Sequence, residues 1–338
     1  MPLLEPGSLR IPIVQAPMAG GPSTPALAAA VGEAGGLGFL AAGYKTVEGL
    51  AADMAALRAA TRAPFAVNLF AAPARPAVAA SVGAYAATLS GEAERYGVAL
   101  GEPRFDDDGY AAKLALLVHD PVAVVSFTFG APSPADLAAL HAAGSAVWVT
   151  VTDLPEAAVA ESAGADALVV QGTEAGGHRG YFDDARPHEE FGLIALLRLL
   201  AARTRLPLVG AGGLADAASV AATLRAGASA AQLGTALMLT PEAGTTAAHR
   251  EQIAGDLPTR LTRAFSGRTA RGIVNRFMDE HDADAPCAYP EVNHLTAPLR
   301  AAARAREDAG GFNLWAGQAH ALARARPAAE LVQQFARY

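Results

Sequence analysis

Residues 206–235 read LPLVGAGGLADAASVAATLRAGASAAQLGT. An apolar run, Leu206 to Gly210, stops at Ala211-Gly212-Gly213; an Ala-rich stretch, Ala215 to Ala226, follows; a second apolar run, Ala230 to Gly234, then ends at Thr235. Runs this short and this uniformly apolar do not alternate as a half-exposed sheet would, and they suit strands buried on both faces. The Ala-rich segment between them has helical composition. The stretch is therefore one strand–crossover–strand unit, and parallel strands need such a crossover.

Working outward, the same unit repeats from residue 11 to about residue 240. The other predicted strands are Ile13 to Met18, Leu37 to Ala42, Phe65 to Phe70, Val122 to Phe129, Ala146 to Val151 and Ala167 to Gln171. Between them lie Pro25 to Ala34, Val47 to Ala60, Pro134 to Ala143, Pro155 to Ala163 and Leu193 to Arg203, several opened by Ser, Thr, Asp or Pro as helix starts are. About eight rounds of this kind predict an α/β fold, a TIM (β/α)8 barrel over residues 1–240. An open dinucleotide-binding sheet fits less well. Gly210, Gly212 and Ala215 match G-x-G-x-x-A, but no Asp or Glu lies between Asp216 and Glu242 to hold a ribose.

Two regions exceed a minimal barrel. The third crossover, 71–121, contains Pro73, Pro76 and the acidic turn Asp106-Asp107-Asp108-Gly109, and is expected to form a lid-like insertion. The tail, 241–338, mixes Arg-rich helical segments with an irregular stretch from Asp282 to Pro298. It is expected to be a mostly helical extension that packs on the barrel and contributes to the substrate pocket.

Composition narrows the function classes. With 26 Lys+Arg against 33 Asp+Glu, a net charge of −7, the surface is not built for nucleic acid or anionic lipid. Hydrophobic residues make up 52% and the mean hydropathy is +0.22, which argues for a compact globule with small-molecule partners. No stretch approaches the roughly 20 apolar residues of a membrane span, and the first residues lack a leader-like apolar segment. One cysteine, Cys287, gives no disulfide or CxxC pair and favours a reducing compartment, so the expectation is a cytoplasmic protein, with a homodimer as its expected assembly. Lys45 and Lys113 are the only lysines and neither sits in an apolar strand, which argues against Schiff-base chemistry.

In a parallel barrel the C-terminal strand ends converge on one face, and here those ends are polar or Gly-rich. Gly212-Gly213 and Gly234-Thr235 follow adjacent strands, where backbone N–H groups can approach a phosphate closely. The same glycines could instead serve only tight turns. Asn68 and Gln171 each offer a donor and an acceptor for the edge of a heterocycle, or could brace loop backbone. A flat ring with a phosphate tail suggests flavin mononucleotide. His178, flanked by Gly176, Gly177 and Gly180, can approach a ligand as acid, base or cationic anchor. Glu174 and Arg179 are expected to brace this loop. No histidine spacing of metal-ligand type joins His178 to the other histidines, so no metal is expected. Ser229 lacks a nucleophile elbow, and Cys287 has no local partner motif.

These residues resemble the nitronate monooxygenases, formerly called 2-nitropropane dioxygenases, over nearly the whole chain. The anchors are Pro12 to Met18, Val67 to Phe70, Ser126 to Gly130, Gly172 to Gly180, Gly210 to Gly213 and Gln232 to Thr235. The resemblance implies FMN bound through Met18, Asn68, Gln171, Gly176, Gly212, Gly213, Gln232, Leu233, Gly234 and Thr235, with His178 as the active-site histidine. The tail segment Tyr289 to Thr296 also resembles a motif of the bacterial type, which implies that Tyr289 faces the substrate. Thr128 stands where many bacterial-type members carry a second histidine. The implied reaction oxidises an alkyl nitronate, such as propionate 3-nitronate, with oxygen to a carbonyl compound and nitrite, by single-electron transfer through the flavin. Two alternatives remain at this point: an FMN-dependent enoyl-acyl-carrier-protein reductase using NAD(P)H, which resembles the same loops, and a flavin-binding module without turnover.

Overall fold

The computed structural model describes residues 3–71 and 79–337. Six parallel strands come first: β1 (Ile13–Gln15), β2 (Gly38–Ala41), β3 (Phe65–Phe70), β4 (Val124–Thr128), β5 (Ala146–Val151) and β6 (Ala167–Gln171). The two-residue β7 (Gly177–His178) belongs to another sheet, and β8 (Leu208–Ala211) and β9 (Ala230–Leu233) complete the first. Their order is β1-β9-β8-β6-β5-β4-β3-β2. The ring closes between β1 and β2 through a parallel bridge from Val14 to Leu37, where Gln15 N donates to Leu37 O and Leu37 N to Ile13 O, both at 2.9 Å. All eight predicted barrel strands form. The first stops at Gln15 instead of running to Met18, because Pro17 has no N–H to continue the ladder.

Helices α1 (Pro25–Ala34), α2 (Val47–Ala60), α3 (Ala79–Thr88), α4 (Ser90–Tyr96), α5 (Tyr110–His119), α6 (Pro134–Ala143), α7 (Leu154–Ala163), α8 (Leu193–Ala201) and α9 (Ala217–Arg225) fill the crossovers. Their starts were written in the sequence as caps. The side chains of Thr24, Thr46, Ser133, Asp153 and Asp216 each accept from a backbone N–H in the first turn. Gly35, Gly144 and Gly164 end α1, α6 and α7 in the left-handed conformation.

The strand alternation sorts the core into two layers. Val147 and Val149 pack outward with the helices, while Trp148 between them packs inward with Phe39, Val14 and Val209 in the barrel interior. The interior is thus filled by side chains, and binding is left to the loops at the strand ends.

The tail contributes α10 (Ala247–Ala254), α11 (Arg276–His281), α12 (Glu291–Ala305) and α13 (Ala328–Phe335). It also contributes β10 (Thr259–Thr262) and β11 (Ala270–Ile273), which the sequence pattern did not predict. These pair antiparallel with each other, and β11 pairs with β7, setting Ala270 opposite His178. Each carries an arginine, Arg260 or Arg271, which masked the strand pattern. In the third crossover, Pro73 and Pro76 lie outside the described residues. Its acidic turn is clasped on two sides: Asp108 accepts from Tyr44 N at 2.9 Å and pairs with the buried Lys113, while Asp106 meets His294 of α12 at 2.7 Å.

Candidate active site

A cavity of about 780 Å³ opens at the C-terminal ends of the barrel strands. Met18, Asn68, Thr128, Gln171, Gly176, His178, Gly212, Gly213, Gln232, Gly234, Thr235 and Tyr289 all border it. Leu233 does not: its side chain is buried in the layer between strands and helices, so only its main chain could serve a ligand.

The glycine turns carry the donors that an anion needs. Gly213, Leu214 and Gly234 border the cavity, and none of their main-chain N–H groups donates to another group among the described residues. Cavity-facing N–H groups without a partner are what a phosphate would fill. Gly213 has φ +69 and Gly212 φ +119, so both need glycine for the turn itself. A Cβ on Gly213 would also lie 3.2 Å from Glu174 Cβ. Thr235 differs: its hydroxyl accepts from Gly317 N at 3.0 Å and so ties the turn to the tail.

The two amides behave differently from one another. Asn68 Nδ2 lies 2.9 Å from Ser126 Oγ, 3.0 Å from Thr128 Oγ1 and 3.2 Å from the Ser126 carbonyl. A carbonyl only accepts, which fixes the amide orientation and links β3 to β4. Gln171 is engaged at both ends by the loop it precedes: Nε2 donates to His178 O at 3.1 Å, and Oε1 accepts from Gly180 N and Arg179 Nη1, each at 2.9 Å. Glu174 and Arg179 brace the same region. Glu174 accepts from Leu193 N at the start of α8, and the fully buried Arg179 donates to Gly172 O at 2.6 Å. The glycines around His178 turn out to serve the chain as well. A Cβ on Gly176 would lie 2.4 Å from the Ala316 carbonyl carbon, and one on Gly180 2.9 Å from Thr150 Cγ2.

His178 is half-buried, its exposed part on the cavity wall. Its Nε2 is 2.8 Å from Ser266 Oγ, and its ring sits among Phe129, Tyr289 and Trp315, with centroids 5.5–6.0 Å away. Burial, reinforced by Arg268 and Arg300 and only partly opposed by Asp184, pushes its pKa down to about 3. Burial thus favours the neutral imidazole at physiological pH over the cationic form. Burial also takes His249 down to about 4. In the unfolded chain both histidines would bind protons near their ordinary value of 6.5. Because the folded pKa values are depressed, stability present above pH 6.5 is lost as pH falls toward 4. The expected result is a lower Tm at about pH 4.5 than at about pH 7, with a smaller drop in His178→Asn. A drop of the same size in that variant would show that His178 takes up no such proton.

Comparison with known proteins agrees with this geometry. The family model for nitronate monooxygenase matches residues 7–337. The chain belongs to the nitronate monooxygenase family. A nitronate monooxygenase from Pseudomonas aeruginosa is 44% identical, covering 95% of this chain and 94% of its own length. One from Paraburkholderia phytofirmans is 43% identical, covering 96% and 91%. Among solved structures, the nitroalkane oxidase from Streptomyces ansochromogenes superposes with a TM-score of 0.94 at 50% identity, covering 98% and 96% of the two chains. FabK from Thermotoga maritima is more distant, with a TM-score of 0.76 at 25% identity over 97% and 92%. The protein is accordingly a flavin-dependent oxidoreductase that oxidises nitronates, with small molecules as its substrates.

For a nitronate monooxygenase, the sequence motifs had named the barrel side of this cavity and much less of the tail side. Ser266, which holds His178, follows no recognisable motif. Tyr44 and Tyr289 both border the cavity, and the energetic cost of burial raises the pKa of the Tyr289 phenol. Tyr44 has φ +66 and Phe129 φ +77, conformations uncommon for side-chain-bearing residues, and both border the cavity. Arg268, in turn, places its guanidinium 3.8 Å over the Phe129 ring. Trp315, Arg300 and Arg304 complete the tail side. Among the described residues no helix is long and apolar enough to cross a membrane.

Proposed function

We propose that the flavin is FMN and that the enzyme uses oxygen to convert an alkyl nitronate into a carbonyl compound and nitrite. The observation that carries the cofactor reading is the set of partnerless N–H groups on Gly213, Leu214 and Gly234, which suits one terminal phosphate. Met18, Asn68 and Gln232 border the cavity from the barrel and would hold the ring, with the Gln171-braced loop presenting His178 beside it. When bound, the flavin supplies the electron acceptor for the nitronate. The protein's part is to exclude water with Phe129, Tyr289 and Trp315, and to present a neutral imidazole to the substrate. Ser266 occupies Nε2 of that imidazole, which leaves Nδ1 for the substrate. A nitronate arrives already deprotonated and needs no base, so its oxidation does not depend on the weak proton affinity that burial gives this histidine.

The purified protein is expected to be yellow, and denaturation is expected to release FMN. Recovery of FAD would overturn the phosphate assignment. Under anaerobiosis, addition of a nitronate should bleach the flavin while NAD(P)H leaves it oxidised. Bleaching by NAD(P)H alone would support the enoyl reductase alternative instead.

A further inference from the structure

No ligand spacing along the chain marks a metal site, yet the fold gathers two carboxylates and an imidazole away from the cavity. Asp153 and Glu156, the cap and the third residue of α7, meet His188 of the loop leading to α8, and one ligand atom from each lies within 4.8 Å of the others. None of the three borders the cavity. We infer that Asp153, Glu156 and His188 bind a zinc ion, with water as its fourth ligand, and that the ion staples the loop after His178 to the start of α7.

Each side chain is held at one end and offers the other. Asp153 accepts from Glu156 N through Oδ1 at 2.9 Å, which leaves Oδ2. Glu156 accepts from Thr152 N and Oγ1 through Oε2, both at 2.7 Å, and its Oε1 takes Phe182 N at 2.8 Å with a lone pair to spare. The His188 ring stacks on Tyr181 with centroids 3.5 Å apart, and its Nε2 lies 2.8 Å from Asp183 O. A carbonyl only accepts, so Nε2 carries the proton and the neutral ring presents a bare lone pair at Nδ1. Metal-bound histidines are oriented by an outer partner of this kind, as ligating carboxylates are. Nδ1 itself is buried without a hydrogen-bond partner, on a side chain only 6% exposed, and it stands 3.9 Å from Asp153 Oδ2. Two acceptors face one another across a gap too long for a hydrogen bond, and a cation between them satisfies both.

Arg186 is the resident cation. Its Nη2 pairs with Asp153 Oδ2 and lies 3.4 Å from Glu156 Oε1, but it leaves Nδ1 of His188 unserved. Its side chain is 36% exposed, so it can return to water when an ion arrives. The start of α7 opposes a cation with only about half a charge, which two carboxylates outweigh. Zinc suits two oxygens and one imidazole nitrogen, whereas magnesium prefers oxygen ligands and keeps its waters. Ligands about 2.1 Å from a tetrahedral ion stand about 3.4 Å apart, so Asp153 and His188 need to close by only about 0.5 Å.

The test titrates zinc into chelator-treated, tag-free holoenzyme by calorimetry and follows thermal melting in parallel, so it needs no turnover. Wild type is expected to bind one equivalent at micromolar zinc and to melt at a higher temperature with it, while magnesium at the same concentration leaves the melt unchanged. His188→Gln keeps a donor for Asp183 O but removes Nδ1, and should weaken zinc binding by at least about tenfold. Arg186→Met removes the competing charge and should tighten it by at least about tenfold. That gain is what separates a metal site from a loop merely anchored by Arg186, where losing the arginine creates no affinity for zinc. Equal binding by wild type and His188→Gln, or no gain in Arg186→Met, would overturn the site. Absence of binding by wild type would do so too, by leaving the carboxylates to Arg186. Should Arg186→Met fail to fold, the comparison of wild type with His188→Gln decides alone.

Discussion

His178→Asn is expected to retain its flavin and to lose oxidation of a neutral nitroalkane by about 10²-fold, the low end of general-base catalysis, because a base with a pKa of about 3 takes a proton weakly. Pre-formed nitronate should be affected much less, by no more than about tenfold if only the base is missing. The asymmetry follows from the state of the imidazole. Its pKa of about 3 makes it a free base at any ordinary assay pH, with Nε2 fixed by Ser266. Because it carries no charge, it does not attract an anion electrostatically, so the variant loses a proton acceptor and no positive charge. Steady-state kinetics on the two substrates, with flavin content measured alongside, checks this. Equal losses on both would assign His178 a charge-stabilising role that its burial argues against. Wild-type rates on both would leave it a purely structural residue, held in the wall by Ser266 and the β7–β11 pairing.

Gly213→Asp is expected to weaken flavin binding by at least about 10²-fold while leaving activity per bound flavin close to wild type. Like charges about 4 Å apart repel by about 4 kcal/mol at an effective dielectric near 20, more than enough for that loss. A second effect comes from the fold. The new Cβ would press on Glu174 Cβ at 3.2 Å, bringing a carboxylate beside the one that caps α8. Gly213→Ala separates the contributions, since it meets the same contact and the same φ of +69 without the charge. Its loss should be clearly smaller. Flavin titration of the apoprotein measures both, and an unchanged affinity in the Asp variant would place the phosphate elsewhere.

The barrel side of this enzyme was legible because its signals are local. A short apolar run predicts a buried strand, a Thr or Asp before an Ala-rich stretch predicts a capped helix, and Gly212-Gly213 after a strand predicts a turn that only glycine makes easily. Gln171 shows where local reading stops. Its chemistry allowed either a cofactor edge or a loop brace, and only the bonds to His178 O, Gly180 N and Arg179 reveal its engagement with the loop. Gly176 is similar: its lack of a side chain looked like room for a ligand, and the structure fills that room with the backbone at Ala316 and Gly317.

What the sequence determined by itself is therefore the repeated unit, its closure into a barrel, and the residues that each strand end delivers to one face. The unit and its strand ends depend on interactions between residues a few positions apart, and closure follows from the number of such units, though it is made by distant pairs such as Val14 with Gln232. The tertiary structure alone decided the other half of the cavity. Ser266 reaches His178 across 88 positions of chain, and Asp106 meets His294 across 188. Nor could sequence decide the charge of His178. It depends on which groups the folded tail withdraws from water and which charges it sets nearby, and no spacing along the chain encodes that.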